Sequence, residues 1–163
     1  MRILPNAGQT STFGTWIPYI ASDLPPLSVF HGQGVLLTGD AAHATTPHQG
    51  SGAGQAIEDA LFLSNLLGHP SLIQGESISR DTIDGALRIY GEVRHERAAR
   101  IQTTSAQAGL LYEGRGVGGE GQSLEKVAEN LNERMRWIWE YDTEGELKRM
   151  MDRLTSSSAE KTR

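Results

Sequence analysis

The sequence predicts a mostly α-helical segment with one or a few short strands, forming part of a larger arrangement of strands and helices. Three observations support this. Val35-Leu36-Leu37 is apolar without alternation, as in a strand covered on both faces. It leads through Gly39-Asp40 to the alternating glycines Gly50, Gly52 and Gly54, which open an amphipathic helix. Beyond that helix the apolar residues keep helical rather than strand spacing. One strand cannot make a sheet, and a helical bundle would not need a glycine-rich strand-to-helix passage, so the strand's neighbours must come from elsewhere.

Taken in order, residues 1–33 read as irregular. Thr12 to Ile20 could supply an edge strand, since Pro18 is poorly tolerated in a central one. Asp23-Leu24-Pro25-Pro26-Leu27 reads as a turn or extended connector. The first helix is expected from about Gly52 to Leu67. Ala53, Ile57, Ala60, Leu61 and Leu67 form its apolar stripe, and Gln55, Glu58, Asp59, Ser64 and Asn65 lie elsewhere. Gly68 and Pro70 stop it, and residues 69–80 read as a Gly- and Ser-rich loop. A long helix from about Asp81 to Leu111 follows, with Ile83, Leu87, Tyr90, Ala98 and Ile101 on its apolar stripe; Gly85, Gly91 and Gly109 interrupt the pattern. Gly114 to Gly121 reads as a flexible linker. Helices from about Leu124 to Trp139 and from Thr143 to Leu154 complete the chain, and the polar tail 155–163 is expected to be disordered.

The bulk properties narrow the function classes. The 163-residue chain can hold one domain-sized core, and its net charge of −5 argues against general nucleic-acid or anionic-membrane binding. It has no cysteine, which removes disulfides and thiolate metal sites. Nothing near Met1 resembles a signal peptide, and no run approaches the roughly 20 apolar residues of a membrane span. A cytoplasmic protein is the expectation.

The chemistry concentrates in residues 34–60. A carboxylate at a strand end and bare N–H groups at a helix mouth surround one small polar ligand, with the positive end of the helix dipole aimed at it. The glycines come too long after the strand for a dinucleotide fingerprint, because Asp40 to Gln49 intervene. Asp40 can accept hydrogen bonds from a polyol, and amides near Gly52, Ala53 and Gly54 can meet an atom that becomes negative. Simpler roles stand beside these: Asp40 as a cap, the glycines as packing devices, Pro47 as a turn former. Asp40, His43 and His48 do not have the spacing of a helical metal-ligand pair, so no metal is expected. His43 reads as a hydrogen-bonded structural residue and His48 as a loop residue. Arg94, Arg97 and Arg100 read as a solvated stripe paired with Glu92 and Glu96, with phosphate contact the alternative. Trp137 and Trp139 are two apart, so one of them faces the core.

Leu37-Thr-Gly-Asp-Ala-Ala-His-Ala-Thr-Thr-Pro-His-Gln-Gly50, continued by Gln55-Ala-Ile-Glu-Asp-Ala60, resembles the second flavin-binding motif of single-component FAD-dependent aromatic-ring hydroxylases, and most of all their salicylate hydroxylase branch. A looser likeness runs through Tyr90 to Ala98 and Arg136 to Asp142. The resemblance implies an α/β FAD/NAD(P)-binding fold, incomplete in this chain, with FAD as cofactor and NAD(P)H as co-substrate. It implies that Asp40, beside Gly39, binds the ribityl chain. Gly52, Ala53 and Gly54, with Gly50 before them, meet the pyrimidine edge of the flavin ring. Pro47 lies by the flavin face and His48 near the substrate pocket. One atom of O2 would enter a salicylate-like ring, with loss of the carboxyl in the salicylate branch. The family's N-terminal Gly-x-Gly-x-x-Gly unit, substrate sheet and nicotinamide motif have no counterpart here. The expected division is therefore a remnant of the FAD-binding domain at 1–68, a helical region at 69–154 and the tail. The expected role is the C-terminal part of a hydroxylase or, alternatively, a non-catalytic piece that self-associates or needs a companion N-terminal chain.

Overall fold

Two short strands and six helices make up the described part of the computed structural model, which covers residues 25–32, 34–73 and 78–161. The expected edge strand at Thr12 to Ile20 lies outside these residues. Strands β1 (His31–Gly32) and β2 (Val35–Leu36) pair antiparallel, with His31 opposite Leu36 and Gly32 opposite Val35. The strand at Val35 is therefore half of a small hairpin, not a covered central strand. Val35 is 61% exposed because, among the described residues, no layer packs on its outer side.

Leaving β2, the chain makes the one-turn helix α1 (Asp40–His43) and a 3₁₀ turn at Pro47–Gln49, where an unbroken loop was expected. Helix α2 (Gly52–Leu67) has the expected bounds and ends at Gly68, whose N–H bonds Ser64 O at 2.9 Å. The face it buries is the opposite of the expected one. Gln55, Asp59, Phe62 and Leu66 are buried, whereas Ile57 is 71% exposed and Leu61 and Leu67 also face outward. Charged partners on a later helix cover the polar side, as described below.

A short helix, α3 (Pro70–Ile73), replaces the first part of the expected loop and buries Leu72. Helix α4 (Arg80–Tyr112) is capped by Ser79, whose hydroxyl oxygen accepts from Thr82 N at 3.1 Å. Two of the glycines that interrupted its sequence pattern are places of close approach. A Cβ at Gly91 would lie 2.7 Å from His31 Nδ1, and one at Gly109 would lie 2.5 Å from His48 Cε1. The helix therefore tolerates two poor helix formers where the hairpin and the 3₁₀ turn press against it.

The run from Gly114 to Gly121 is a set of hydrogen-bonded turns, not the expected free linker; Gly119 N donates to Gly116 O at 3.1 Å. Helix α5 (Leu124–Trp139) follows a Ser123 cap, and α6 (Thr143–Lys161) runs past the expected end at Leu154. Residues 155–161 are helical where a disordered tail was expected. Thr155 and Ser156 send their hydroxyls back to the carbonyls of Met151 and Asp152, so their polarity is satisfied within the helix. The main core joins Phe62 and Leu66 of α2, Leu72 of α3, Ala86, Ile89 and Tyr90 of α4, and Met150 and Leu154 of α6. A smaller cluster of Phe30, Ala42 and Ala98 fixes the hairpin and α1 against α4. The loop after α1 packs farther along α4, where Thr46 meets Ser105 and the His48 carbonyl accepts from Tyr112. No helix among the described residues is long and apolar enough to cross a membrane.

Candidate functional site

Gly39 introduces the site with φ 56° and ψ −143°, a conformation that is costly for any residue with a side chain. The turn places Gly39 against the first coils of α2, 3.7 Å from the Ala56 methyl at its virtual Cβ. It leaves Asp40 exposed, with no hydrogen-bond partner for its carboxylate among the described residues. Ala42 N and His43 N both bond Gly39 O, at 3.0 and 2.9 Å, which closes the α1 turn.

Helix α2 opens beside this turn. Its first main-chain bond is Gln55 N to Ser51 O at 3.0 Å, and no side chain caps its start. The amides of Gly52, Ala53 and Gly54 therefore precede the ladder, at the positive end of a 16-residue helix. A Cβ at Gly50 or Gly54 would meet nothing within 4 Å, so both glycines border open space. The intervening loop is held from behind: Thr46 Oγ1 and Ser105 Oγ share a bond of 2.7 Å, and Thr104 donates to Gln49 Oε1 at 3.0 Å. Pro47 is exposed and His48 half-buried, its carbonyl accepting from Tyr112 at 3.2 Å. All seven expected contact residues, Gly39, Asp40, Pro47, Gly50, Gly52, Ala53 and Gly54, thus belong to one continuous turn–loop–helix unit.

Beneath this surface lies a charge network that the sequence reading placed on a solvated face. Arg94 is completely buried; Nε donates to Asp59 Oδ1 at 2.9 Å, Nη1 to Glu58 Oε2 at 2.6 Å and Nη2 to Gln55 Oε1 at 2.9 Å. Arg97 makes a two-pronged pair with Glu58, 2.7 Å on each arm, and donates to Ile138 O at 3.2 Å. The expected partner Glu92 instead pairs with Arg153 of α6. Arg100 alone keeps an exposed place, its guanidinium 4.0 Å over the Trp137 ring. Trp139 is 73% exposed, so of the two tryptophans it is Trp137 that packs inward.

Asp59 links the network to the site. Its Oδ2 accepts from Gly39 N at 2.8 Å and pairs with His43 Nε2 at 2.7 Å. His43 thus has the hydrogen-bonded structural place expected of it. Burial alone would raise the Asp59 pKa, but the bonds from His43, Gly39 and Arg94 outweigh it and hold the carboxyl far below its usual range. Glu58 is lowered in the same way, burial being outweighed by Arg97 and Arg94. Among the described residues no group of three His, Asp or Glu side chains is arranged to hold a metal ion.

Comparison with known proteins shows what the chain is similar to. Residues 27–105 match the family model described as an FAD binding domain. Salicylate hydroxylase of Pseudomonas putida is 41% identical over 140 residues, covering 85% of this chain and 30% of that protein. By these matches the chain is similar to FAD-dependent monooxygenases, salicylate hydroxylases among them. A 6-methylsalicylate 1-monooxygenase of Aspergillus terreus is 40% identical over 73% of the chain. A solved salicylate hydroxylase substrate complex superposes with a TM-score of 0.68 at 43% identity, covering 77% of this chain and 29% of that one. The chain spans about 30% of the length of the first curated relatives it matches. Others among the relatives are named as FAD-dependent monooxygenases, as in Hypocrea jecorina, 32% identical over 91% of this chain and 33% of that protein.

Proposed function

We propose that this chain supplies the ribityl- and ring-contacting half of an FAD site, in a monooxygenase that hydroxylates a salicylate-like aromatic substrate with NAD(P)H and O2. The observation that carries the proposal is an exposed Asp40 carboxylate, without a hydrogen-bond partner among the described residues, together with the unladdered amides of Gly52, Ala53 and Gly54. Asp40 would accept hydrogen bonds from the hydroxyls of the ribityl chain. The three amides and the α2 dipole would face the pyrimidine edge of the ring, where negative charge accumulates on reduction. Pro47 and His48 would border the face where the aromatic substrate sits. When bound, FAD takes up two electrons from NAD(P)H and activates O2, one atom of which enters the ring while the other leaves as water. The chain's share is binding, orientation and a fixed electrostatic environment that costs no rearrangement during the reaction. The names of the relatives favour a phenolic acid as substrate.

Titration of the purified chain with FAD, followed by flavin fluorescence, tests the cofactor reading. Binding is expected, and Asp40→Ala should weaken it by about tenfold or more, the scale of one lost charge-assisted hydrogen bond. Equal affinity of the two proteins would overturn the assignment of Asp40. The exposed Ile57, Leu61 and Leu67 of α2, with Val35 and Val29 near the hairpin, favour a second reading, in which the chain works only when another polypeptide or a second copy covers these apolar side chains. Light scattering of the chain at rising concentration separates the two, since a lasting monomer speaks against self-association.

A further inference from the structure

The Asp40 turn and helix α2 are joined along the chain by the 44–51 loop, and a single buried atom ties them together directly. Oδ2 of Asp59, which is 2% exposed, accepts from Gly39 N just before α1 and pairs with His43 Nε2 at its end. Both ends of the four-residue turn that presents Asp40 are thereby fixed to one point on α2. The other oxygen, Oδ1, takes Arg94 Nε, and Arg94 is itself held by Glu58 and Gln55. The anchor thus reaches the long helix α4, and through Arg97 it reaches the end of α5 at Ile138 O.

We infer that Asp59 is a positioning residue that sets the place and direction of the Asp40 carboxylate, with Arg94 fixing Asp59 in turn; its consequence for the cofactor rests on the flavin reading above. The side chain does not touch the open mouth of the site, so its effect passes through the Gly39 amide and the His43 ring. Only a carboxylate satisfies all three donors. Turning an asparagine so that its oxygen faces Gly39 and His43 points its NH2 at Arg94 Nε, donor against donor. Turning it the other way leaves Gly39 N and His43 facing an NH2 group. His43 must carry its proton on Nε2 to donate, so the carboxylate also selects the tautomer of that ring.

The test compares Asp59→Asn with Leu66→Ala, a buried position on the same helix away from the turn. Two quantities are read at a temperature where both proteins keep native helix content: hydrogen exchange at the Gly39 amide, and FAD affinity by flavin fluorescence. Asp59→Asn should speed Gly39 exchange about tenfold relative to mid-α4 amides and weaken FAD binding about tenfold, while Leu66→Ala should leave both within about twofold. Unchanged Gly39 exchange in Asp59→Asn, unchanged FAD affinity, or equal changes in Leu66→Ala would overturn the inference. If the unsubstituted chain takes up no FAD but the exchange contrast is seen, the flavin reading falls and the hold of Asp59 on the turn stands. Should Asp59→Asn fail to fold, the unsubstituted chain decides: a Gly39 amide as protected as those of α2 supports the inference, and one exchanging at the unprotected rate overturns it.

Discussion

At the scale of single residues, Arg94 does the most. It is a fully buried cation with carboxylates on two sides, Glu58 and Asp59, and a glutamine on a third. A buried pair of this kind adds little over a well-packed apolar replacement of the whole set, but removing one member leaves charge stranded. Arg94→Met should therefore lower the stability of the chain by about 3–5 kcal/mol, read from urea unfolding, because two carboxylates then lack their partner. A loss below about 1 kcal/mol would mean that water replaces the guanidinium freely. The arginines were legible as a set spaced three apart, but their partners were not. Glu92 and Glu96 are near in sequence, whereas Glu58 and Asp59 are 36 and 35 positions from Arg94, a separation that helical spacing cannot report. Acidic neighbours on one helix and a basic trio on another were the only signal available.

At the scale of elements, α2 shows which part of an amphipathic pattern can be read. Its period and bounds were legible, down to the Gly68 stop, but its sense was inverted. Apolar residues recur on one side and Gln55, Glu58 and Asp59 on the other, and hydrophobicity alone assigns the first side to the core. The arginines of α4 reverse that assignment by neutralising the acidic side, and Phe62 and Leu66 complete the buried face. Phe62→Ala should cost about 3–5 kcal/mol, whereas Ile57→Ser should stay within about 0.5 kcal/mol. Thermal and urea unfolding of the two variants measures this contrast, and a comparable loss in Ile57→Ser would show that its face is covered after all. The glycines of α4 were likewise read as weaknesses in a helix. Their reason is tertiary, since His31 and His48 lie against Gly91 and Gly109 and neither contact leaves a trace in the helix's own sequence.

For the molecule as a whole, the carboxylate network ties stability to pH. Asp59 and Glu58 both have folded pKa values below their usual ones. The unfolded chain therefore takes up protons first as the solution is acidified. The stability they contribute is present above the unfolded carboxyl range of about 4 and is lost as pH falls from there through the folded values. Urea midpoints measured from pH 6 downward should fall most steeply below about pH 4, and Asp59→Asn should flatten that slope. An unchanged slope would place the acid sensitivity elsewhere.

The parts of the candidate site were closer together in the sequence than those of the fold around it. A strand end, an aspartate, a proline loop and a glycine-rich helix mouth form one contiguous stretch, so local sequence contained nearly all of its parts. The support beneath it spans α2, α4 and α5 and became visible only when those helices were packed together.

A crystal structure of the chain with FAD would test the central claim most directly. Ribityl hydroxyls within hydrogen-bonding distance of Asp40, with the pyrimidine edge of the ring against the amides of Gly52, Ala53 and Gly54, is the predicted result. FAD bound elsewhere, or those amides occupied by the chain's own oxygens, would contradict it.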